Sequence, residues 1–296
     1  MASGVPTNRT NIELPNEISS EILQATIGQS VVMQLARQIS LPGRGVQIPV
    51  ITGDPAAAWV SETGSKAVAN PSLSKKIMQA HKLAVIVPFS NEFRRDAAAL
   101  YDALVARLPG ALAKEFDKTV FFGPASGSLA NFDNFSAITA QSLSSSVYGG
   151  LVAADTDISE HGGVMNGIVL SPQGKGVLLG ALDGEYRPLF NTVAEGGINR
   201  VLGAPTYVTG AAYKAGTSGS SAKPDVLGIA GDWSHALYGT VEGVRIDYSS
   251  DATLTLADSS TVNLFQQNMF AVRAEIEVGF VAETDYFNAL TRTHVG

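Results

Sequence analysis

The 296-residue chain has no cysteine, which removes disulfides, thiolate metal sites and cysteine nucleophiles together. Its four histidines, His81, His161, His235 and His294, are scattered, with no i, i+4 pair and no HExxH run, so neither a metal site nor a cofactor is expected. Cations are also scarce: 20 Lys and Arg stand against 27 Asp and Glu, a formal net charge of −7. A primary nucleic-acid binder needs clustered cations for phosphate, so this balance argues against one while leaving proximity to nucleic acid open. No apolar run approaches the roughly 20 residues that a membrane helix needs, so no membrane partner is expected. The first eleven residues lack a basic-then-apolar signal pattern, and the chain is expected in the cytoplasm when made. A 45% hydrophobic share with 16% charged residues fits an ordinary folded protein with room for about two domains. No repeat of fixed period is visible.

What is present is most informative between residues 59 and 123. Ser90 can cap a helix and Glu92 suits its positive end. Beyond them Phe93, Ala97, Leu100, Leu104, Leu108, Leu112, Phe116 and Val120 recur at helical spacing, with Arg94, Arg95, Asp96, Asp102, Arg107, Lys114, Asp117 and Lys118 opposite. The pattern predicts an amphipathic helix over 91–122, stopped by Gly123-Pro124 and kinked or broken in two at Pro109-Gly110. Before it, Leu83, Ala84, Val85, Ile86 and Val87 are apolar on both faces, as in a covered strand. Upstream, Ser72, Ser74, Lys75, Lys76, Gln79, His81 and Lys82 interrupt any alternation, and 62–71 is small, polar and rich in turn formers. With 59–62 as the outgoing strand, this is a long hairpin without a core of its own. Such hairpins are marginal in water, so it is expected to become stable on another subunit.

Elsewhere, residues 1–15 read as an arm, and Asn16 can cap a helix running through Ile18, Ile22, Ile27, Val31 and Leu35 toward Arg37. Val46, Ile48 and Val50 alternate as a strand after the Gly43-Arg44-Gly45 turn. Residues 125–157 read as connection plus a short helix, 168–170 as a buried strand and 174–182 as a helix. Strands are expected at 205–209, 226–230, 236–238 and 244–248, with a loop at 216–223. Near the end, Phe270, Val272, Ala274, Ile276, Val278 and Phe280 share one strand face, and Arg273, Glu275 and Glu277 the other. The first face is core; the second faces water or a partner.

No constellation assembles an active site. Residues 166–176, with Gly174-Lys175-Gly176 at a helix start, imitate a phosphate cradle. Gly176 stands where a Walker loop needs Ser or Thr, and Leu179 where a dinucleotide fingerprint needs Gly, leaving ordinary helix-start glycines as the plainer reading. Asp155, Asp157, Glu160 and His161 form a local acidic cluster with the composition of a cation site, but solvated loop charges are the plainer reading. Gly123, Ser126 and Gly127 lack the spacing of a nucleophile elbow. Trp59 and Trp233 suit core or interface anchors better than ligand platforms.

The order of several runs resembles a known family: AWVSE at 58–62, LAVIVPFSNE at 83–92, Arg95-Asp96, residues 117–123, Tyr238-Gly239, GVRI at 243–246 and FQQNMFAVRAE at 265–275. Together, from about Leu14 to Leu290, they are similar to the major capsid proteins of tailed bacteriophages. The resemblance implies the α+β Hong Kong 97-type capsid fold, shared with encapsulin shells. Its expected parts are an N-terminal arm (1–50), an extended hairpin loop (51–82), a peripheral domain with a long spine helix (83–144) and an axial domain (145–250), with return strands over 251–296. It implies a structural protein rather than an enzyme, self-assembling into pentamers and hexamers of an icosahedral head around double-stranded DNA. Expected partners are the chain itself, separate scaffolding, portal and decoration proteins, and packaged DNA held without sequence preference.

Intersubunit contacts are expected at Trp59, Glu62, Lys66, Lys75, Lys76, Arg273 and Glu275. Some relatives weld their shells by an isopeptide bond between a hairpin Lys and an Asn, helped by a Glu, and Lys66, Asn268 and Glu275 fall at matching places. The chemistry needs a neutral amine in a desolvated pocket. Against it, the seven-residue gap from Asn268 to Glu275 puts them on opposite faces of a regular strand, where polar strand-face residues are the alternative. Some relatives also carry a scaffolding segment before the arm; with Met1 so close to the arm, a separate scaffold, or none, is expected. An encapsulin-like shell is the nearest rival, and an α/β nucleotide-binding enzyme resting on 174–180 the more distant one.

Overall fold

The computed structural model describes residues 26, 28–43, 45–53, 72–96, 105–190, 198–219, 222–241, 243–255 and 260–294. Two sheets organise them. The first is built on one long strand, β14 (Met269–Ala282), which pairs antiparallel with β4 (His81–Ser90) along one side. On its other side β14 pairs with β10 (Ala236–Thr240) and β11 (Arg245–Ser249), and β1 (Arg37–Ser40) adds parallel to β10. The second sheet has six strands. Their order is β5 (Thr139–Ser142), β15 (Phe287–Arg292), β9 (Asp225–Gly231), β6 (Gly167–Leu170), β8 (Ala204–Val208) and β7 (Arg200–Val201). The chain passes between the sheets through single turns at Trp233–His235 and Thr284–Tyr286. These lie side by side, with the His235 ring stacked on Tyr286 at 3.7 Å.

The predicted helix over 91–122 is broken. α2 (Asn91–Asp96) begins where the Ser90 hydroxyl accepts the Glu92 and Phe93 N–H groups, and α3 (Leu108–Phe122) is a separate helix with Pro109 in its first turn. Proline fits there because the first helical N–H groups have no intrahelical partner. Leu112, Phe116, Val120 and Phe121 of α3 face the main core, where Phe270, Val272, Ala274, Ile276, Val278 and Phe280 of β14 meet them as the alternation predicts. Trp233 belongs to this core, its indole N–H donating to the Gly167 carbonyl at 3.1 Å.

The helix expected to run to Arg37 ends and restarts. Ser30 caps α1 (Val31–Leu35), and Arg37 already lies in β1. The cause is distant in sequence: Asp117 of α3 accepts hydrogen bonds from the Ser30 hydroxyl at 2.6 Å and from the Val31 N–H at 3.0 Å. A second core covers one face of the six-stranded sheet, under α4 (Val147–Glu160) and α5 (Pro172–Leu179). The expected boundaries at 145, 250 and 251 cut across these sheets. β10 and β11 join the long-strand sheet, whereas the return strand β15 joins the six-stranded one.

Candidate intersubunit surface

β2 (Val46–Gly53) and β3 (Ser72–Met78) pair only with each other among the described residues, with Val46 opposite Met78. This is the root of the predicted hairpin, and it starts earlier than expected. The outgoing strand is 46–53; residues 59–62 lie outside the described residues, as do Trp59, Glu62 and Lys66. Although its polar residues follow no alternation, 72–78 is a strand: it pairs with β2, and over 75–78 Lys76 and Met78 turn inward while Lys75 and Ile77 are exposed.

Met78, fully buried, seats this root on the body beside Leu41 and Val281. The seat is flat because Gly239 and Gly279 stand opposite each other on β10 and β14. A Cβ on Gly239 would lie 2.5 Å from Leu41 Cγ, and one on Gly279 2.7 Å from the Gln79 carbonyl oxygen. The adjacent lysines diverge, as neighbours on a strand must. Lys75 is exposed on the hairpin, whereas Lys76 is ion-paired to Asp133 at 3.0 Å and donates to the Ala282 carbonyl. Lys76 is therefore an internal strut at the hairpin root, with its partners in its own chain.

The outer face of β14 carries a charge ladder across three strands. Arg245 and Arg273 both bond Asp247, Arg273 lies 3.8 Å from Glu275, and Lys82 on β4 sits 3.0 Å from both Glu275 and Glu277. Burial works to raise the Asp247 carboxyl, but hydrogen bonds from Arg273 and Arg245 outweigh it and hold the group below the usual carboxylate range. Hydrogen bonds to Glu277 and Glu275 raise the Lys82 ammonium. Three cations and three anions thus cancel on this face. Arg273 and Glu275, expected at an intersubunit contact, are members of it. Glu277 was placed on this face by the strand alternation, whereas Lys82, Arg245 and Asp247 completed it unread, although the i, i+2 spacing of 245/247 was the available signal. Beside the ladder Ile86 is 48% exposed and Ala84 is exposed too, so among the described residues β4 is not covered on both faces.

Asn268 stands in a turn before β14, with φ +54°, and its side-chain oxygen accepts a 3.0 Å hydrogen bond from Asn91. The opposite-face argument therefore does not apply to it. Glu275 is nevertheless about 20 Å away along the strand, at roughly 3.3 Å per residue.

The apparent phosphate cradle is a packing device. Ser171 caps α5 by accepting the Gly174 N–H at 3.0 Å, and a Cβ on Gly174 would lie 2.6 Å from the Leu227 carbonyl oxygen. Of the acidic cluster, Asp157 accepts from Asn288 at 2.8 Å. Among the described residues no group of three or more His, Asp or Glu is placed to hold a metal ion.

Residues 11–290 match the phage capsid family. The probable major capsid protein of Mycobacterium phage L5 is 29% identical, covering 88% of this chain and 84% of that protein. A solved structure from Gordonia phage Cozz superposes with a TM-score of 0.72 at 21% identity, covering 90% and 87% of the two chains. The capsid of an empty GTA particle, computed with C5 symmetry, gives 0.63 at 14% identity over 98% and 95%. With a mixed α+β fold of the Hong Kong 97 type and a family match over most of its length, the chain belongs to the phage capsid family and is a structural protein of the virion shell.

Proposed function

We propose that copies of this protein pack head to tail into pentamers and hexamers of an icosahedral head, each hairpin lapping over the next subunit. Such a heterologous contact closes by rotation. The observation that carries this reading is the β2–β3 root, a two-stranded sheet whose backbone ladder joins no other described strand. Two strands alone are marginal, so their apolar area and backbone edges are best completed by another copy. In this reading residues 1–45 form the arm and 46–78 the extended loop with its β2–β3 root. β4, α3 and β14 form the peripheral domain, and the six-stranded sheet with α4 and α5 forms the axial domain. Separate scaffolding, portal and decoration proteins are the expected partners, with packaged DNA near an acidic chain that does not grip it. Glu275 serves as a ladder residue rather than the catalyst of a weld. Deleting residues 63–72 tests the lapping: the variant should fold and stay soluble yet give fragile shells or none, and robust normal shells would overturn it.

A further inference from the structure

The negative balance of the chain is not spread evenly over its surface. α3 buries Leu112, Phe116, Val120 and Phe121 and turns Asp117 inward to Ser30, which leaves one outward stripe. Arg107, the residue before the helix, then Ala111, Lys114 and Lys118 follow that stripe at helical spacing, all exposed. Phe122 is the next residue on the same line, and the Lys214 ammonium lies 5.4 Å from the centre of its ring. Lys214 and Lys223, both exposed, line one cavity with Phe121 and Phe122.

Carboxylates are turned away from this line. Glu115 is half-buried and faces a separate cavity, lined by His81 and Lys82. Asp225, which accepts the Gly216 N–H of the neighbouring loop, is buried and meets His294 as well. None of the cations on the stripe is ion-paired to another described residue. On the β14 ladder opposite charges cancel, whereas here like charges add.

The stripe also lacks what a protein partner would need. Protein docking draws on apolar anchors, and the apolar groups along this line are Ala111 and the Phe122 ring, which lies beneath an ammonium. Duplex DNA needs no such anchor, because its phosphates are met by separated point cations. From Arg107 to Lys118 the helix rises about 16 Å, at about 1.5 Å per residue, a length over which a duplex carries about ten charges. Resting on the shell reading above, we propose that this stripe is a phosphate-contacting face, laid against packaged duplex DNA without reading its bases. So few cations on a chain of net charge −7 give a weak, salt-labile contact, and the DNA is touched rather than gripped.

Fluorescence anisotropy of the full chain, kept below its assembly concentration, with a mixed-sequence duplex of about 20 base pairs over about 20 to 200 mM salt tests this. The logarithm of affinity should fall against that of salt with a slope of about −4, at about 0.9 per phosphate contact. Lys114→Gln with Lys118→Gln should flatten the slope by about 2 and weaken binding at least about tenfold at the lowest salt. Lys175→Gln with Arg200→Gln removes the same charge from α5 and β7 and should leave the slope unchanged. Should the first pair fail to fold by circular dichroism, Arg107→Gln with Lys214→Gln carries the same expectation. Equal slopes for the stripe and control variants, or no binding by wild type at the lowest salt, would overturn the proposal. Tighter binding of poly-glutamate than of duplex of equal charge would also overturn it, assigning the stripe to an acidic polypeptide. The folded stripe variant should still close shells; failure to do so would assign the stripe to contact between copies and defeat the proposal. Wild type that binds DNA in this way yet builds no shell would instead strike the shell reading.

Discussion

Asp117 offers the sharpest quantitative test of how the N-terminal segment is fastened to the body. Its side chain is buried on α3, 1% exposed, and accepts the Ser30 hydroxyl and the Val31 and Val32 N–H groups at 2.6, 3.0 and 3.3 Å. Burial pushes its carboxyl up to about 6 from an ordinary 3.8, with these three hydrogen bonds opposing the rise. A folded-state value above the unfolded one means that the native state holds the proton more tightly. The contribution of this group to stability is therefore greatest below pH 4 and falls as pH rises through the window from 3.8 to about 6, then levels off. At about 1.4 kcal/mol per unit, the fall attributable to this group is about 3 kcal/mol. Asp117→Asn cannot ionise and loses that fall. Its amide nitrogen also meets a backbone donor, at a cost of about 1–3 kcal/mol at every pH. Urea unfolding of the unassembled subunit from pH 4 to 8 should show the variant less stable at pH 4, with the gap closing by about 3 kcal/mol at pH 7. Parallel curves would refute the assignment of this titration to Asp117.

Three further outcomes follow from the hairpin root and the ladder. Gly279→Val forces side-chain atoms into the Gln79 carbonyl and Met78, costing about 1–3 kcal/mol in urea unfolding and abolishing shells in electron micrographs; unchanged shells would show that the seat is not needed. Lys76→Met removes a half-exposed ion pair worth at most about 1 kcal/mol, yet frees the hairpin root, so proteolysis within 46–78 should accelerate while the melting temperature barely moves. Denaturing electrophoresis of mature shells should give monomer bands alone, since Glu275 is engaged by Lys82 and Asn268 by Asn91; a ladder of higher bands would reinstate the Lys66 weld.

Much of the fold was legible because period and burial coincide in it. The β14 alternation named its core face residue by residue, and Pro109 marked the helix break. The failures share a cause, which is dependence on distant partners. Ser30 restarts a helix because a carboxylate 87 positions away receives its hydroxyl, and no local pattern reports that. The 72–78 strand was hard to read because its inward face includes Lys76, whose partners, Asp133 and the Ala282 carbonyl, are distant in sequence. β4 read as covered on both faces, yet an apolar pattern does not distinguish cover by the same chain from cover by another. The exposed Ile86 is where the two differ.

The account depends on copies completing one another through the hairpin, and cryo-electron microscopy of the purified full-length protein under shell-forming conditions tests that most directly. It predicts closed shells in which residues 54–71 of each subunit, beyond the seated hairpin root, lie across the neighbouring copy. Particles that remain monomeric, with residues 54–71 packed against their own body, would contradict it.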